Sequence, residues 1–423
     1  MVKGLSGVVE TLIVLLSALI GIMAALWLGP GAGRLTNNLS VAIGLIFLIA
    51  CVLAWLMSWL IGKKTTRFKR SLSTIGLTAV IMSALTIWIV TPPQRKHPPS
   101  SVPSDVTFWS LSTGSKLAYH HTAAQLGHRA APIFLLHGGP GLPALPMFNS
   151  LSPFDSLALL GYDVYYYDQF GAGYSNRADL AVEPVYTVNR HVEDLEAIRK
   201  TVGVEKMILI GSSWGATLAA NYLLRYPDRV ERVVFESPAP LWYPEHPDFP
   251  MPQAFRSLTK EEAATLSSAQ TPTPRIAAGR VFAQVNPQLA TALITDWEVD
   301  EWWGEIMRLN FKLGQPKWTC RADVKVPDGY FSTIGFFVYT NTEWDATQLP
   351  DPRPALRKLT LPVLVLRGEC DWIKPEVASE YRDIFPSARL VSVSNAGHAT
   401  WFENPSRVRQ IVAAFLLDEK LPE

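Results

Sequence analysis

One serine in the chain has the neighbours that acyl-transfer chemistry needs. In Gly211-Ser212-Ser213-Trp214-Gly215, Ser213 has glycine both two residues before it and two residues after it, and Ser212 does not. The pattern joins an apolar run, "EKMILIG", to a helix-forming run, "WGATLAANYLLRYP". G-x-S-x-G at such a junction predicts a sharp turn with the serine at its tip, the glycines avoiding backbone clashes. A serine hydroxyl is a poor nucleophile unless a base takes its proton. Two downstream segments supply the rest. "LPVLVLRGECDWIKP" carries Asp371 and "LVSVSNAGHATW" carries His398, each just past the end of a predicted strand. In that chain order, Ser213 is the candidate nucleophile, Asp371 the orienting carboxylate and His398 the general base. Glu369 is a rival carboxylate nearer the strand end, read as a turn cap.

Acyl transfer also needs N–H donors for the oxyanion. The backbone N–H of Trp214, next after the serine, is one candidate. "FLLHGGPG", residues 134 to 141, offers the other, and Gly139 is chosen over Gly138. His137 precedes the serine in the chain and is read as holding that loop in shape. His120, His121 and His191 have no partner motif and are read as structural. The chain has neither H-E-x-x-H nor C-x-x-C, so no metal and no cofactor is expected. "GPGAG" at 29 to 33 follows an apolar helix rather than a sheet strand and is read as a connector. A net charge of +1 gives no reason to expect nucleic-acid binding.

These residues need a scaffold, and the apolar pattern predicts one. "VTFWSLS" and "KLAYHHT", split by the turn residues "TGS", read as a hairpin. Continuous apolar runs then alternate with helical stretches: "APIFLLHGG", "YDVYYYDQFG", "EKMILIGSS", "ERVVFESP", "LPVLVLRGE" and "ARLVSVSNAGH". Such runs indicate strands buried on both faces, as in a parallel sheet, and the alternation makes an α/β fold. "VNRHVEDLEAIRKTV" reads as a helix entered from Thr187 and stopped by Gly203. The rhythm breaks between about 239 and 350, in a Pro-rich and then helical stretch read as a lid insertion. Trp297, Trp302 and Trp303 lie in it, either lining an apolar pocket or fastening the lid.

The charged share is 18%, low against about 25% for a soluble domain. The deficit sits at the N-terminus, in apolar runs at Val8 to Leu28, Leu39 to Ile61 and Leu72 to Thr91. About 20 helical residues cross a bilayer core, so three transmembrane helices are expected over residues 1–91. Lys63, Lys64, Arg67, Lys69 and Arg70 outweigh Arg34 between the spans. That bias places the N-terminus and the second loop in the cytoplasm and everything past residue 91 outside it. Ser17, Gly21 and Ala25, and again Ala50, Ala54 and Ser58, put small residues four apart, a spacing that lets helices pack closely. A Pro-rich linker follows at 92–104, then a catalytic domain at 105–423. Cys51 falls mid-span, and Cys320 and Cys370 are expected to stay unpaired.

"HGGPG", "DQFGAGYS", "GSSWGATLA", "GECD" and "NAGH" occur in the order and spacing of the α/β-hydrolases. Among these the chain is most similar to the proline iminopeptidase (prolyl aminopeptidase) group. That group carries HGGPG, DQRG-x-G-x-S and GGSWG, with a helical lid between sheet strands six and seven. The resemblance spans residues 105 to 423 and implies an α/β-hydrolase fold with the triad and oxyanion donors named above. Phe170 stands where the group has arginine, and Ser212 where it commonly has glycine. The group binds the substrate's amino end through lid carboxylates. Here Glu298, Asp300, Glu301, Glu305 and Glu343 are available, and each is read as an ordinary solvated charge. Three functions compete: an aminopeptidase acting on small peptides, an esterase or lipase-like acyl hydrolase, and a catalytically dead receptor. The partners expected are a small peptide or ester and the lipid bilayer.

Overall fold

The computed structural model describes residues 2–96, 101–148, 152–178, 186–247, 249, 258–318, 320 and 328–422. Residues 97–100 of the expected linker, and 248 and 250–257 of the Pro-rich opening of the insertion, lie outside these. Eight strands are β1 (Thr107–Ser110), β2 (Lys116–Thr122), β3 (Ile133–Leu136), β4 (Val164–Tyr167), β5 (Met207–Ser212), β6 (Val230–Glu236), β7 (Val363–Gly368) and β8 (Ala388–Val393). The helices used below are α1 (Val2–Gly33), α2 (Leu39–Leu60), α3 (Arg67–Val90), α4 (Val188–Val202), α5 (Trp214–Arg225), α6 (Pro274–Val285), α7 (Pro287–Leu293), α8 (Asp296–Trp318), α9 (Phe336–Gln348), α10 (Pro375–Ile384) and α11 (Pro405–Leu416). The chain forms two compact units, one of residues 1–95 with 271–299 and one of residues 96–270 with 300–423.

In the second unit the strands make one sheet in the order β1-β2-β4-β3-β5-β6-β7-β8. β1, β2 and β4 pair antiparallel, and every pair from β4 through β8 is parallel. Side chains alternate between the sheet's faces. Phe134, Leu136, Leu209, Val233, Phe235, Val363 and Val365 enter one core with α4, α5 and α10. Ile133, Leu135, Ile208, Ile210, Val234, Leu364 and Leu366 enter the other with α11. Burial on both faces is why these strands read as unbroken apolar runs; each such side chain contributes about 1.5–3 kcal/mol. The chain runs from β3 outward to β4 and then back to β5 on the far side of β3. The strand order therefore reverses between β3 and β5, where open α/β sheets place their ligands.

In the first unit α1, α2 and α3 include three helices long and apolar enough to cross a membrane. Gly21 meets α2 so closely that a Cβ there would lie 2.7 Å from the Ala50 carbonyl and 2.8 Å from the Ala54 nitrogen. Ser17, Ala25, Ala50, Ala54 and Ser58 are buried, as the four-residue spacing predicts. α3 starts at Arg67, so part of the basic loop is helix. Buried Arg70 bonds Glu10 at 2.7 Å and the Ser58 carbonyl at 2.9 Å.

Residues 271–299, expected to belong with the rest of the lid, fold instead with these helices. The reason is helix-end chemistry, since the last carbonyls of a helix have no partner within it. Arg275 Nη1 donates to the carbonyls of Ile89 (2.9 Å) and Val90 (2.6 Å) at the end of α3, while its Nε bonds Glu298 at 2.6 Å. Asn286 Nδ2 donates to the carbonyls of Gly33 (2.9 Å) and Thr36 (3.1 Å) at the end of α1.

Candidate active site

Ser213 occupies the turn between β5 and α5 with φ 52° and ψ −117°. A side-chain-bearing residue at positive φ costs about 1–3 kcal/mol and persists only where its surroundings impose it. The surroundings here are explicit. A Cβ on Gly211 would lie 2.4 Å from the Gly215 carbonyl oxygen, and one on Gly215 would lie 2.0 Å from that of Leu136. Both glycines of the motif are therefore required by backbone proximity. The Ser213 N–H donates to the Glu236 carbonyl at 2.9 Å, and its own carbonyl accepts from Ala216 and Ala239, each at 3.0 Å.

Asp371 and His398 meet, Nδ1 to Oδ1, at 2.9 Å. The Asp371 side chain is buried and also accepts the Ile373 N–H at 3.0 Å, which fixes its rotamer. Their loops are pressed together: a Cβ on Gly368 would lie 1.9 Å from the Gly397 carbonyl, and the Cys370 N–H donates to the Ala396 carbonyl at 2.9 Å. The His398 ring keeps one edge open, at 23% side-chain exposure, and Trp372 lies 4.9 Å from it. Burial opposes a charge on His398, but Asp371 beside it, with Glu236 and Glu403 nearby, outweighs burial and raises its pKa. Glu369 instead accepts the Asn395 N–H at 3.1 Å, the capping role expected of it.

The loop after β3 reaches the elbow. A Cβ on Gly138 would stand 3.0 Å from the Ser213 Cβ and 3.7 Å from its Oγ. Gly139 has φ 47° and Gly141 φ 93°, so the loop turns through conformations that favour glycine. Among the described residues neither the Gly139 nor the Trp214 N–H donates to a protein acceptor. His137 holds this loop: its Nε2 accepts the Gln169 N–H at 2.9 Å, and its Nδ1 lies 3.1 Å from the Gly138 carbonyl. Burial pushes the His137 imidazole down to about 4.

The parts of "DQFGAGYS" have roles that spacing alone did not reveal. Asp168 accepts the N–H groups of Ala144 (2.6 Å), Leu145 (2.9 Å) and Tyr174 (2.8 Å), tying the loop after β3 to the turn after β4. Gln169 donates to the His137 carbonyl at 3.2 Å and accepts the Trp214 indole N–H at 3.1 Å. Phe170 is buried beneath the Arg190 guanidinium, 4.8 Å from its ring centroid.

Residues 131–405 match the alpha/beta hydrolase fold family, most of the chain and all of the elements just described. The chain is an α/β-hydrolase. Curated relatives of this hydrolase include the proline iminopeptidase of Lactobacillus delbrueckii subsp. bulgaricus, 28% identical over 295 residues, covering 68% of this chain and 90% of the relative. The proline iminopeptidase of Heyndrickxia coagulans is 25% identical over 317 residues, covering 72% of this chain and 96% of the relative. The crystal structure of VinJ superposes on the hydrolase with a TM-score of 0.51 at 21% identity, over 75% of this chain and all of VinJ, a likeness of fold. The hydrolase is thus similar to proline iminopeptidases in sequence and is an enzyme of the hydrolase class.

The five insertion carboxylates separate once their partners are seen. Glu298 pairs with Arg275 at 2.6 Å. Asp300 is buried, pairs with Arg177 at 3.2 Å and accepts the Phe336 N–H at 2.7 Å. Glu301 accepts the Lys96 N–H at 2.7 Å, and Glu305 lies 3.9 Å from Arg308. Glu343 differs. Burial pushes its carboxyl up to about 8, against a hydrogen bond from Tyr339, and among the described residues no ion pair holds it down. Glu298 and Asp300, buried in ion pairs, and Glu343, half-buried, are thus not the solvated charges that the sequence predicts. α9, which carries it, begins on the loop after β3: Gly335 N–H donates to the Gly141 carbonyl at 2.9 Å, and a Cβ on Gly141 would be 2.8 Å from Val338. Trp303 and Leu142 pack with Tyr330, Phe331 and Ile334 in an apolar cluster, so Trp303 borders the same loop. Trp302 lies 6.3 Å from Trp303, whereas Trp297 packs under Arg95 in the N-terminal unit.

Cys320 and Cys370, expected to stay unpaired, form a disulfide with Cα atoms 5.5 Å apart. The bond ties a point just past α8 to the residue before Asp371, a proximity across 50 residues that no local pattern announces.

Proposed function

We propose that the protein is a membrane-anchored serine hydrolase in which Ser213, His398 and Asp371 act as a triad, releasing N-terminal residues, proline among them, from small peptides. The observations that carry it are the Asp371–His398 hydrogen bond at Nδ1, which leaves Nε2 as the basic nitrogen, and a serine held at the tip of an elbow. Ser213 Oγ bonds to the substrate carbonyl carbon while His398 takes its proton. The tetrahedral oxyanion faces the N–H groups of Trp214 and Gly139. His398 returns the proton to the leaving amine as the C–N bond breaks, and water hydrolyses the acyl-enzyme by the same steps in reverse. Fluorophosphonate should label the wild type and Ser212→Ala but not Ser213→Ala; the opposite pattern would reassign the nucleophile.

The preference for an amino end rests on Glu343. A carboxylate in a covered site without a cation is costly unless something positive joins it. It lies one helical turn beyond Tyr339, whose helix starts on the proposed oxyanion loop. A substrate ammonium would supply the missing charge. Glu343→Gln should raise KM for a proline arylamide by about tenfold or more while leaving a p-nitrophenyl ester untouched. Equal effects on both substrates would remove the amino-end role. The apolar cluster of Trp303, Phe331, Ile334 and Leu142 supports the second reading, an acyl hydrolase of apolar esters. Turnover of the ester series with none of the arylamide would decide for it.

Three helices with the required length and apolarity support anchoring in a bilayer. The basic residues from Lys63 to Arg70 support a cytoplasmic position for that segment and the N-terminus, with the catalytic unit outside. The Cys320–Cys370 disulfide supports the same orientation, because such bonds persist in oxidising compartments.

A further inference from the structure

Glu236 is the last residue of β6 and is fully buried, with no salt-bridge partner among the described residues and His398 as a nearby charge. Nothing in the G-x-S-x-G, GECD or NAGH motifs accounts for it. Its carboxylate is enclosed by donors from two separate segments. Oε2 accepts the hydroxyl of Ser212, beside the nucleophile. Oε1 accepts the N–H of Thr400 at 3.0 Å and the Thr400 hydroxyl at 2.6 Å, two residues past His398. Its backbone carbonyl takes the Ser213 N–H at 2.9 Å. One residue thus grips the elbow by two points and the histidine loop by two more. Ser212, where the similar iminopeptidases commonly carry glycine, has a purpose here: it supplies the hydroxyl on the elbow side.

We infer that Glu236 is a positioning residue that sets the elbow and the His398 loop against each other and whose negative charge favours the imidazolium formed during the reaction. The inference rests on the triad reading above. Three converging donors suit an ionised carboxyl, and with the nearby His398 they oppose the burial that raises its pKa. The charged groups around His398 are Asp371 on the loop after β7, Glu236 at the end of β6 and Glu403 on the turn at 400–403. Arg367 of β7 donates to the carbonyls of Gly368, Asp371 and Ile373. Glu236 is thus a second carboxylate favouring the imidazolium, from the end of β6, the strand between the elbow strand β5 and the GECD strand β7.

The test uses the full-length protein in detergent with an ester substrate that does not need Glu343. Glu236→Gln keeps the shape and can keep the same hydrogen bonds, with its amide N–H₂ towards Ser212, but carries no charge. It should lower kcat about tenfold with KM unchanged. It should also move the acidic limb of the kcat/KM profile to lower pH, because removing a negative charge lowers the His398 pKa. Glu236→Ala, which removes the bridge, should cost on the order of 10²-fold. Ser212→Gly and Thr400→Val should each cost severalfold, and their combination less than the product, because both act through one carboxylate. A Glu236→Gln enzyme with wild-type kcat and an unmoved acidic limb would overturn the inference. So would losses that track only a lower Tm, with the pH profile unchanged. Ser213→Ala separates the two levels: if that variant still turns over substrate, the triad reading fails and the inference with it. If Ser213→Ala is inert and Glu236→Gln behaves as wild type, the inference alone fails.

Discussion

His137 and His398 stand in loops that follow parallel strands, β3 and β8, and both are half-buried. Their partners differ. His398 presents Nδ1 to a carboxylate, and its pKa is raised despite burial. His137 meets only the backbone, accepting from the Gln169 N–H and lying against the Gly138 carbonyl, and burial takes it down to about 4. Two identical side chains are thus driven apart, His398 towards the charged imidazolium and His137 towards the neutral ring. What separates them is the group on the second ring nitrogen, which neither motif, HGGPG nor NAGH, spells out.

The comparison breaks most directly at the base. His398→Ala should lower kcat by on the order of 10⁶-fold, because triad members act as a unit; a variant that keeps one-tenth of wild-type activity would move the base elsewhere. Asp371→Asn should cost about 10⁴-fold by favouring the wrong tautomer. Its residual activity should show the acidic limb shifted to lower pH, since Asp371 raises the His398 pKa. His137→Phe should cost about tenfold. It also orphans the buried Gln169 N–H, worth about 1–3 kcal/mol of stability by chemical denaturation. The position of its acidic limb should not move, because a group that titrates near 4 is already neutral there; a moved limb would mean that His137 takes part in proton transfer.

Glu343 extends the comparison to stability. Its folded-state pKa is raised from 4.5 to about 8, so the folded protein holds a proton that the unfolded chain has released. Stability from this group is full below about 4.5 and is lost as pH rises through 8. Glu343→Gln should therefore raise Tm more at pH 9 than at pH 5; an equal change at both would mean that the carboxyl is solvated. The smallest effect on chemistry should come from Cys320→Ser with Cys370→Ser. That pair should lose about 2–4 kcal/mol of stability, with kcat per folded molecule nearly kept. A large fall in kcat at full stability would show that the bond holds Asp371 in place.

The strands and the elbow were legible because they depend on local pattern. Unbroken apolar runs mark strands covered on both faces, and Gly211 is demanded by a contact within one turn, although Gly215 is demanded by Leu136 on β3. The Asp371–His398 pair was legible through chain order. Three things were not. Glu236 sits inside "VVFESP", where it reads as the polar end of a strand, and its partners come from positions 212 and 400. Glu343 looks like any helical glutamate until its burial without a counter-charge among the described residues is seen. Cys320 and Cys370 required a fold to bring them together. Each depends on proximity between distant segments, which composition and periodicity do not encode.

The polypeptide visits the N-terminal unit twice, first with α1 to α3 and again with residues 271–299. A shortened protein beginning at Lys96, the obvious route to a water-soluble enzyme, would retain the second visit and discard the first. Arg275 and Asn286 would lose the helix-end carbonyls they answer, and the apolar sides of α6 and α7 would be stripped of cover. Such a fragment is set up to clump, and the excision that respects the architecture removes both passages together, rejoining Gln270 to Asp300 through a short flexible bridge.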